Sequence, residues 1–294
     1  MQETGNDIID PAHKDSVLNL ADKFYAAKSS DQYDLLVFIN NDMIACTSFL
    51  GSQESYLQLY SRAFERINHP LKLQKQLISL FKEEDLFKLK YKSVRIAIGD
   101  IGSTLVPEEL YDEDSSKAIL NINHIVNEKD VIQVDTLDLI KARNVYALPK
   151  ELQALLLNQF ENVTLIHAST PLIHSLSGLS LEPALFVHVQ KSSIEVIVME
   201  KSNLIFYNHF NYKTPQDFIY HVLYVFEKLE LNPENTHLTF MGEINKDSEY
   251  FDETYKYVRH VNFSQRPDEM KYSNELDTLA LHNYFNLFCI NAYH

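Results

Sequence analysis

The side chains of this sequence that could do chemistry are scattered, and few stand at a spacing that chemistry requires. Twelve histidines are spread over 294 residues. His167 and His174 would reach neighbouring turns only within one continuous helix, and Ser169-Thr170-Pro171 argues against such a helix. No His-Glu-x-x-His, Cys-x-x-Cys or Gly-x-x-x-x-Gly-Lys motif occurs. Serines, histidines and aspartates are plentiful but lack a nucleophile-elbow context. Asp34 and Glu195 fall in strand-like stretches and would suit a two-metal nuclease only if further carboxylates joined them. Two polar turns remain. Lys191-Ser192-Ser193 could meet a phosphate, and Asn40-Asn41-Asp42 is a run of turn formers, yet both are ordinary hairpin-turn compositions. The acidic runs Glu83-Glu84-Asp85 and Tyr111-Asp112-Glu113-Asp114 read as solvated charges.

Composition narrows the partner classes. The net charge of -15 opposes a phosphate backbone, because non-specific nucleic-acid affinity comes from Lys and Arg neutralising phosphates. Hydrophobic residues at 45% and aromatics at 12% supply enough apolar surface for globular cores, and the length suits two domains. No apolar run approaches the roughly 20 residues that span a bilayer, so no membrane insertion is expected. Met1 to Pro11 lacks the apolar core of a signal peptide. Cys46 and Cys289 lie far apart and are expected as buried, reduced thiols in a cytoplasmic protein.

The elements that must position these residues are clearest in the second half. Leu185 to Gln190 alternates with period two, Lys191 to Ser193 turns, Ile194 to Met199 returns, and Leu204 to Phe210 supplies a third strand. Thr214, Pro215 and Asp217 mark a helix start of the capping-box type. Phe218, Val222, Val225, Phe226 and Leu229 follow at helical spacing. His237 to Met241 is then a strand ending at Gly242, Ser248 to Tyr257 a helix and Val258 to Phe263 a strand. The first half repeats the order. Strands are expected over Leu35–Ile39, Met43–Leu50 and Tyr56–Phe64, a helix with Leu71, Gln74, Leu77, Ile78 and Phe81 on one face, and a strand over Val94–Ile98. Short elements at Ala118–Ile122 and Val131–Thr136 read as an inserted subdomain. A strand at Val145–Leu148, a helix with Leu152, Leu155, Leu156 and Phe160, and a strand at Val163–Ile166 follow, and Ser177 to Pro183 is the domain boundary.

The β-β-β-α-β-α-β order of the second half is that of a ribonuclease-H-like unit, and its β-β-β-α-β part recurs in the first half before the insertion. Val145 to Leu152 with Phe160 to His174 resembles the first interdomain crossover of actin-like proteins, with bacterial pilus-assembly and cell-division members nearest in pattern. Thr104-Leu105-Val106-Pro107, Tyr146-Ala147-Leu148-Pro149 and the block Asn203 to Tyr212 leading into Asp217 to Tyr220 resemble an uncharacterised bacterial family, a domain of unknown function with an actin-like ATPase fold. The resemblance covers roughly Asp22 to the C-terminus. It implies an α/β protein of two ribonuclease-H-like, actin-like domains, with mixed sheets flanked by helices. They would span residues 1–182, with an insertion at about 103–142, and residues 183–294.

The same resemblance implies where a nucleotide would sit: two glycine-bearing hairpins against the phosphates and a glycine-rich turn against the adenosine. Glycine is needed because a Cβ blocks close approach of backbone to phosphate. The corresponding turns here are Asn40-Asn41-Asp42, Gln190-Lys191-Ser192-Ser193, and a single Gly242 beside Met241 and Glu243. With six glycines in the whole chain, little compensates elsewhere. The expectation is therefore a non-catalytic, pseudo-ATPase scaffold without cofactor that binds an unidentified protein partner. Tyr207, Tyr212, Tyr220 and Tyr224 are candidates for an exposed aromatic surface, and the insertion is another candidate. The alternative is a divergent ATPase or small-molecule kinase using ATP and Mg²⁺ in the interdomain cleft, with Asp42 orienting the metal and Lys191 contacting phosphate.

Overall fold

The structure, a computed structural model, describes residues 16–67, 69–179, 181–267 and 270–293. The signal-peptide reading of Met1 to Pro11 lies outside them. In chain order the elements are β1 (Val17–Ala21), β2 (Asp34–Ile39), β3 (Met43–Leu50), β4 (Ser55–Ala63), α1 (Pro70–Glu83), β5 (Ser93–Ile98), β6 (Ser103–Pro107), α2 (Ser116–Leu120), β7 (Val131–Leu137), β8 (Ala142–Leu148), α3 (Lys150–Gln159), β9 (Val163–His167) and α4 (Ser169–Leu176). The second half holds β10 (Ala184–Val189), β11 (Ser193–Glu200), β12 (Asn203–Asn211), α5 (Pro215–Lys228), β13 (His237–Gly242), α6 (Glu249–Tyr255) and β14 (His260–Phe263). It closes with β15 (Lys271–Tyr272) and α7 (Phe285–Ala292).

Two mixed sheets organise these elements. The first runs β1-β4-β3-β2-β5-β9, with β15 also on β4, and the second runs β12-β11-β10-β13-β14. The core order β4-β3-β2-β5-β9 thus matches β12-β11-β10-β13-β14 strand for strand. In each, the first two strands of the unit pair antiparallel and the crossover strand returns parallel. The central strands β2 and β10 are buried along their whole length, which is why Leu35-Leu36-Val37-Phe38-Ile39 is a continuous apolar run. The third sheet, β6-β8-β7, is the insertion.

The helix starts are local sequence effects. Asp217 N–H donates to Thr214 Oγ1 (3.1 Å) while Asp217 Oδ2 accepts from Thr214 N–H (3.2 Å), the reciprocal capping box at α5. In α1 the expected apolar face is rotated. Leu73, Leu77, Leu80 and Phe81 are buried, whereas Leu71 in the first turn is half exposed. Of the two short elements expected in the insertion, Ala118–Ile122 overlaps the single turn α2 and Val131–Thr136 is the strand β7.

The largest difference from the sequence reading is at the C-terminus. The division at 182/183 assigns residues 270–293 to the second domain, but they return to the first. β15 pairs with the start of β4, and Leu287, Phe288 and Ile290 of α7 enter the core formed by Leu36, Phe38, Tyr56 and Leu59. The opposite side of α7, Phe285 and Cys289, packs with Leu172, Leu176, Phe186 and Met241 at the junction with the second sheet. Seven of its eight residues are buried, so its sequence carries no amphipathic stripe. Its C-terminal end is held by Arg95, which donates to the carbonyls of Ile290 (3.1 Å) and Tyr293 (2.8 Å) and to Asn291 Oδ1 (2.8 Å). Phe288→Ala should therefore destabilise the protein by about 3–5 kcal/mol in urea melts, as for other buried Phe truncations.

Candidate functional site

The two hairpin turns singled out in the sequence meet. The β2–β3 turn is organised by Asn40, whose Oδ1 accepts from the N–H groups of Asp42 (2.9 Å) and Met43 (2.7 Å). That turns Asn40 Nδ2 outward, where it donates to Gln190 Oε1 of the β10–β11 turn (2.6 Å). Ser192 Oγ from the same turn donates to Asp42 Oδ2 (2.9 Å). Arg66 clamps the pair, with one nitrogen on Asp42 Oδ2 (3.0 Å) and the other on Asn211 Oδ1 (3.2 Å). Asn40, Asp42 and Gln190 are buried in this contact, so each turn supplies the other's hydrogen-bond partners. Asn41 donates its N–H to Asp100 Oδ2 (3.1 Å), Lys191 is exposed, and Ser193 is buried with its carbonyl accepting from Gln190 N–H (2.9 Å).

Gly242 has a positive φ of 84° where β13 passes the end of β10, and a Cβ there would collide with the Val189 carbonyl. Beside it, Glu243 is pushed up to about 7, by burial first and then by the charge of Asp42. Asp42 itself is also raised, burial outweighing the bonds from Ser192 and Arg66. Acidic groups, not cationic ones, dominate this corner.

A polar cleft of about 810 Å³ opens next to the docked turns, between the segment Gly99 to Leu105, the insertion and strand β12. Of four polar side chains that line it, Asp100 and His209 had no role in the sequence reading, and His167 and Glu195 were weighed only for metal chemistry. Asp100, at a positive φ of 55°, faces His209 across the two domains, with 3.4 Å between Oδ1 and Nε2. Burial opposes both charges, yet their mutual interaction lowers Asp100 and raises His209. His167 closes the cleft floor, with Nδ1 against Ser169 Oγ (2.7 Å) and Nε2 against the Ile101 carbonyl (3.0 Å). Glu195 is held by His188 Nδ1 (2.8 Å) and Tyr207 OH (2.8 Å). Burial works to raise it, but these bonds and the His188 charge hold it down at about 2. His167, Glu195 and His209 are polar residues within strands, whereas Asp100 lies in the turn after β5 and carries no sequence signal.

The residues considered for other chemistry are dispersed. Asp34 bonds Ser93 Oγ (2.6 Å) in the first sheet, far in topology from Glu195 in the second. Among the described residues no group of three His, Cys, Asp or Glu side chains could hold a metal ion. Cys46 and Cys289 are both free and buried. No described helix is long and apolar enough to cross a membrane. Of the four tyrosines, Tyr212 is core, Tyr207 serves Glu195, Tyr224 is half-buried and Tyr220 is exposed.

Two predictions follow from this geometry. Gly242→Ala combines an unfavourable φ with the Val189 collision and should cost at least about 2 kcal/mol by chemical denaturation. Asp135, buried at the root of the insertion, accepts from Thr170 Oγ1 (2.6 Å), His167 N–H (2.8 Å) and Tyr146 OH (3.1 Å), but burial still pushes it up to about 6. A carboxyl with a higher pKa folded than unfolded favours folding at pH values below the unfolded pKa near 4. That contribution is lost as the pH rises through 6, on the order of 2–3 kcal/mol. Asp135→Asn should flatten this part of the stability–pH profile between pH 4 and 6.

Comparison with known proteins agrees with the architecture. The chain is similar to a protein of actin-like ATPase fold and unknown function from Bacteroides thetaiotaomicron VPI-5482, at 22% identity and a TM-score of 0.75 over 87% of this chain and 98% of that one. It is also similar to a chain of the PilM–PilN type IV pilus biogenesis complex (12% identity, TM-score 0.58, covering 88% and 98%). A third similarity is to the ethanolamine utilization protein EutJ from Carboxydothermus hydrogenoformans (7%, TM-score 0.53, covering 88% and 90%). These likenesses establish the actin-like ATPase fold and nothing of activity. No curated protein matches the sequence. The family profile described as "Protein of unknown function (DUF3822)" matches residues 22–261, and the chain belongs to that family.

Proposed function

We propose that the protein is a non-catalytic, actin-like scaffold that binds another protein and has lost nucleotide binding. The observation that carries the reading is the Asn40–Gln190 contact at 2.6 Å, with Ser192 and Arg66 closing on Asp42 beside it. A nucleotide phosphate approaching between the two turns would have to displace these buried bonds. It would then face Asp42, Asp100 and Glu243 with Arg66 already paired. The turns lack the glycines that would bring backbone N–H groups to a phosphate, so the residues present do not fit ATP and Mg²⁺. PilM, a relative in fold only, occurs in a complex with PilN, which is consistent with a partner-binding role.

The alternative, a divergent ATPase or small-molecule kinase, has the open cleft of about 810 Å³ in its favour. Calorimetric titration with Mg²⁺-ATP and Mg²⁺-ADP separates the two. The scaffold reading expects no binding up to millimolar nucleotide. Micromolar binding that Asp42→Asn weakens would overturn it in favour of the enzyme.

A further inference from the structure

The two sheets share a strand order but treat their outer edges differently. In the first domain the free side of β4 is occupied along its length: β15 pairs with Ser55 and Tyr56, and β1 runs antiparallel from Gln58 to Arg62. The counterpart, β12, is the last strand of its sheet, and nothing among the described residues pairs with its outer side. All nine of its residues are exposed or half-buried, whereas β10 is buried throughout.

The cleft runs along this bare edge. Every residue from Leu204 to His209 lines it, odd and even alike, so the edge itself and not one face borders the space. Tyr212 N–H donates to the Ser192 carbonyl (3.1 Å), and the antiparallel alternation from that bond turns the peptide groups of Tyr207, His209 and Asn211 away from β11. Two of these outward groups are covered by side chains: His209 N–H by Asn208 Oδ1 (2.9 Å) and the Asn211 carbonyl by His221 Nε2 (3.2 Å). The edge carries no protecting charge or proline, since Asn203 to Asn211 contains no Lys, Arg, Asp, Glu or Pro, and its one irregularity is a bulge at Ile205, near the N-terminal end of the strand.

From this geometry we infer that the outer edge of β12 is a docking site for an extended segment of a partner protein, which adds to the second sheet as an antiparallel strand. The inference rests on the protein-binding reading above and assigns it a surface. The precedent is internal: β1, Val-Leu-Asn-Leu-Ala with Leu18 buried, fills the equivalent edge of the first domain. The cleft along this edge, about 810 Å³, leaves room for an extended segment to lie beside β12. Charge selects the flanks. The chain carries -15, and Glu109, Asp112, Glu113 and Asp114 follow on β6, whose Ser103 to Leu105 line the opposite wall, while Glu108 is paired with Arg143. The segment that fits has alternating apolar residues, no proline, and Lys or Arg at its ends.

The test is selection of a random decapeptide display library against the intact protein. Selected peptides are then measured by fluorescence anisotropy and by amide hydrogen exchange. The expected peptides alternate apolar residues between basic flanks and slow exchange at Tyr207 and Asn211. N-methylation of two alternate peptide nitrogens weakens them at least about tenfold, since side chains remain while strand hydrogen bonds are lost. Asn208→Lys, at an exposed position, abolishes binding without altering the melting curve. Peptides that protect a different surface, or that tolerate N-methylation, overturn the edge site while leaving a protein-binding role standing. Failure to select any peptide overturns it too, and the nucleotide titration then decides separately whether the scaffold reading falls. A dimer in light scattering that Asn208→Lys dissolves also overturns it, because a second copy would then occupy the edge.

Discussion

The arrangement of the two domains depends on one constraint: polar turn residues brought out of water must find partners. Asn40, Asp42 and Gln190 are buried, and an unmade hydrogen bond at any of them would cost about 1–3 kcal/mol. Gln190 meets Asn40 and Ser192 meets Asp42 Oδ2, which Arg66 also bridges to Asn211 at the start of the cleft, while Asp42 Oδ1 stays buried without a hydrogen bond. The position of β12, the shape of the cleft and the Asp100–His209 pair all follow from how the turns dock.

Much of the fold was legible because local and global signals agree in the repeated units. Period-two alternation in Leu185 to Gln190 and the Thr214–Asp217 capping box each fix an element without tertiary help, and both elements form where expected. The elements missed are those whose pattern is set by tertiary contact. α7 is buried on nearly every side, so its apolar and Asn residues show no stripe. β1 alternates over only five residues, and its pairing with β4 closes a long loop that no short window detects. The α1 face was misplaced by the rotation that puts Leu71 in solvent and Leu73 in the core.

The candidate site was legible in part for the same reason. The three turns come from adjacent strand ends of two similar units, so the resemblance alone was enough to expect Asn40 near Gln190. Whether they would touch or leave a gap depends on side-chain length and rotamer, which no spacing encodes. Arg66, Asp100 and His209 sit in irregular or edge segments, and their roles exist only once the domains are apposed. The two sheets also diverge where their topology agrees, since only β4 is covered on its outer side.

The return of the chain to its first sheet has a consequence for synthesis. The core on one face of the first sheet is complete only when Leu287, Phe288 and Ile290 are in place and Arg95 has the carbonyls of α7 to bind. More than a hundred residues separate β9 from those groups. At ~5–20 residues per second a ribosome takes on the order of ten seconds to cover that distance. Throughout that interval the emerging first domain displays the apolar groove that α7 will fill, while the second domain is still being made. The face of the first sheet that carries Phe38, Tyr56 and Leu59 is therefore covered last, whereas its other face has α1 and α3 to pack against from the start.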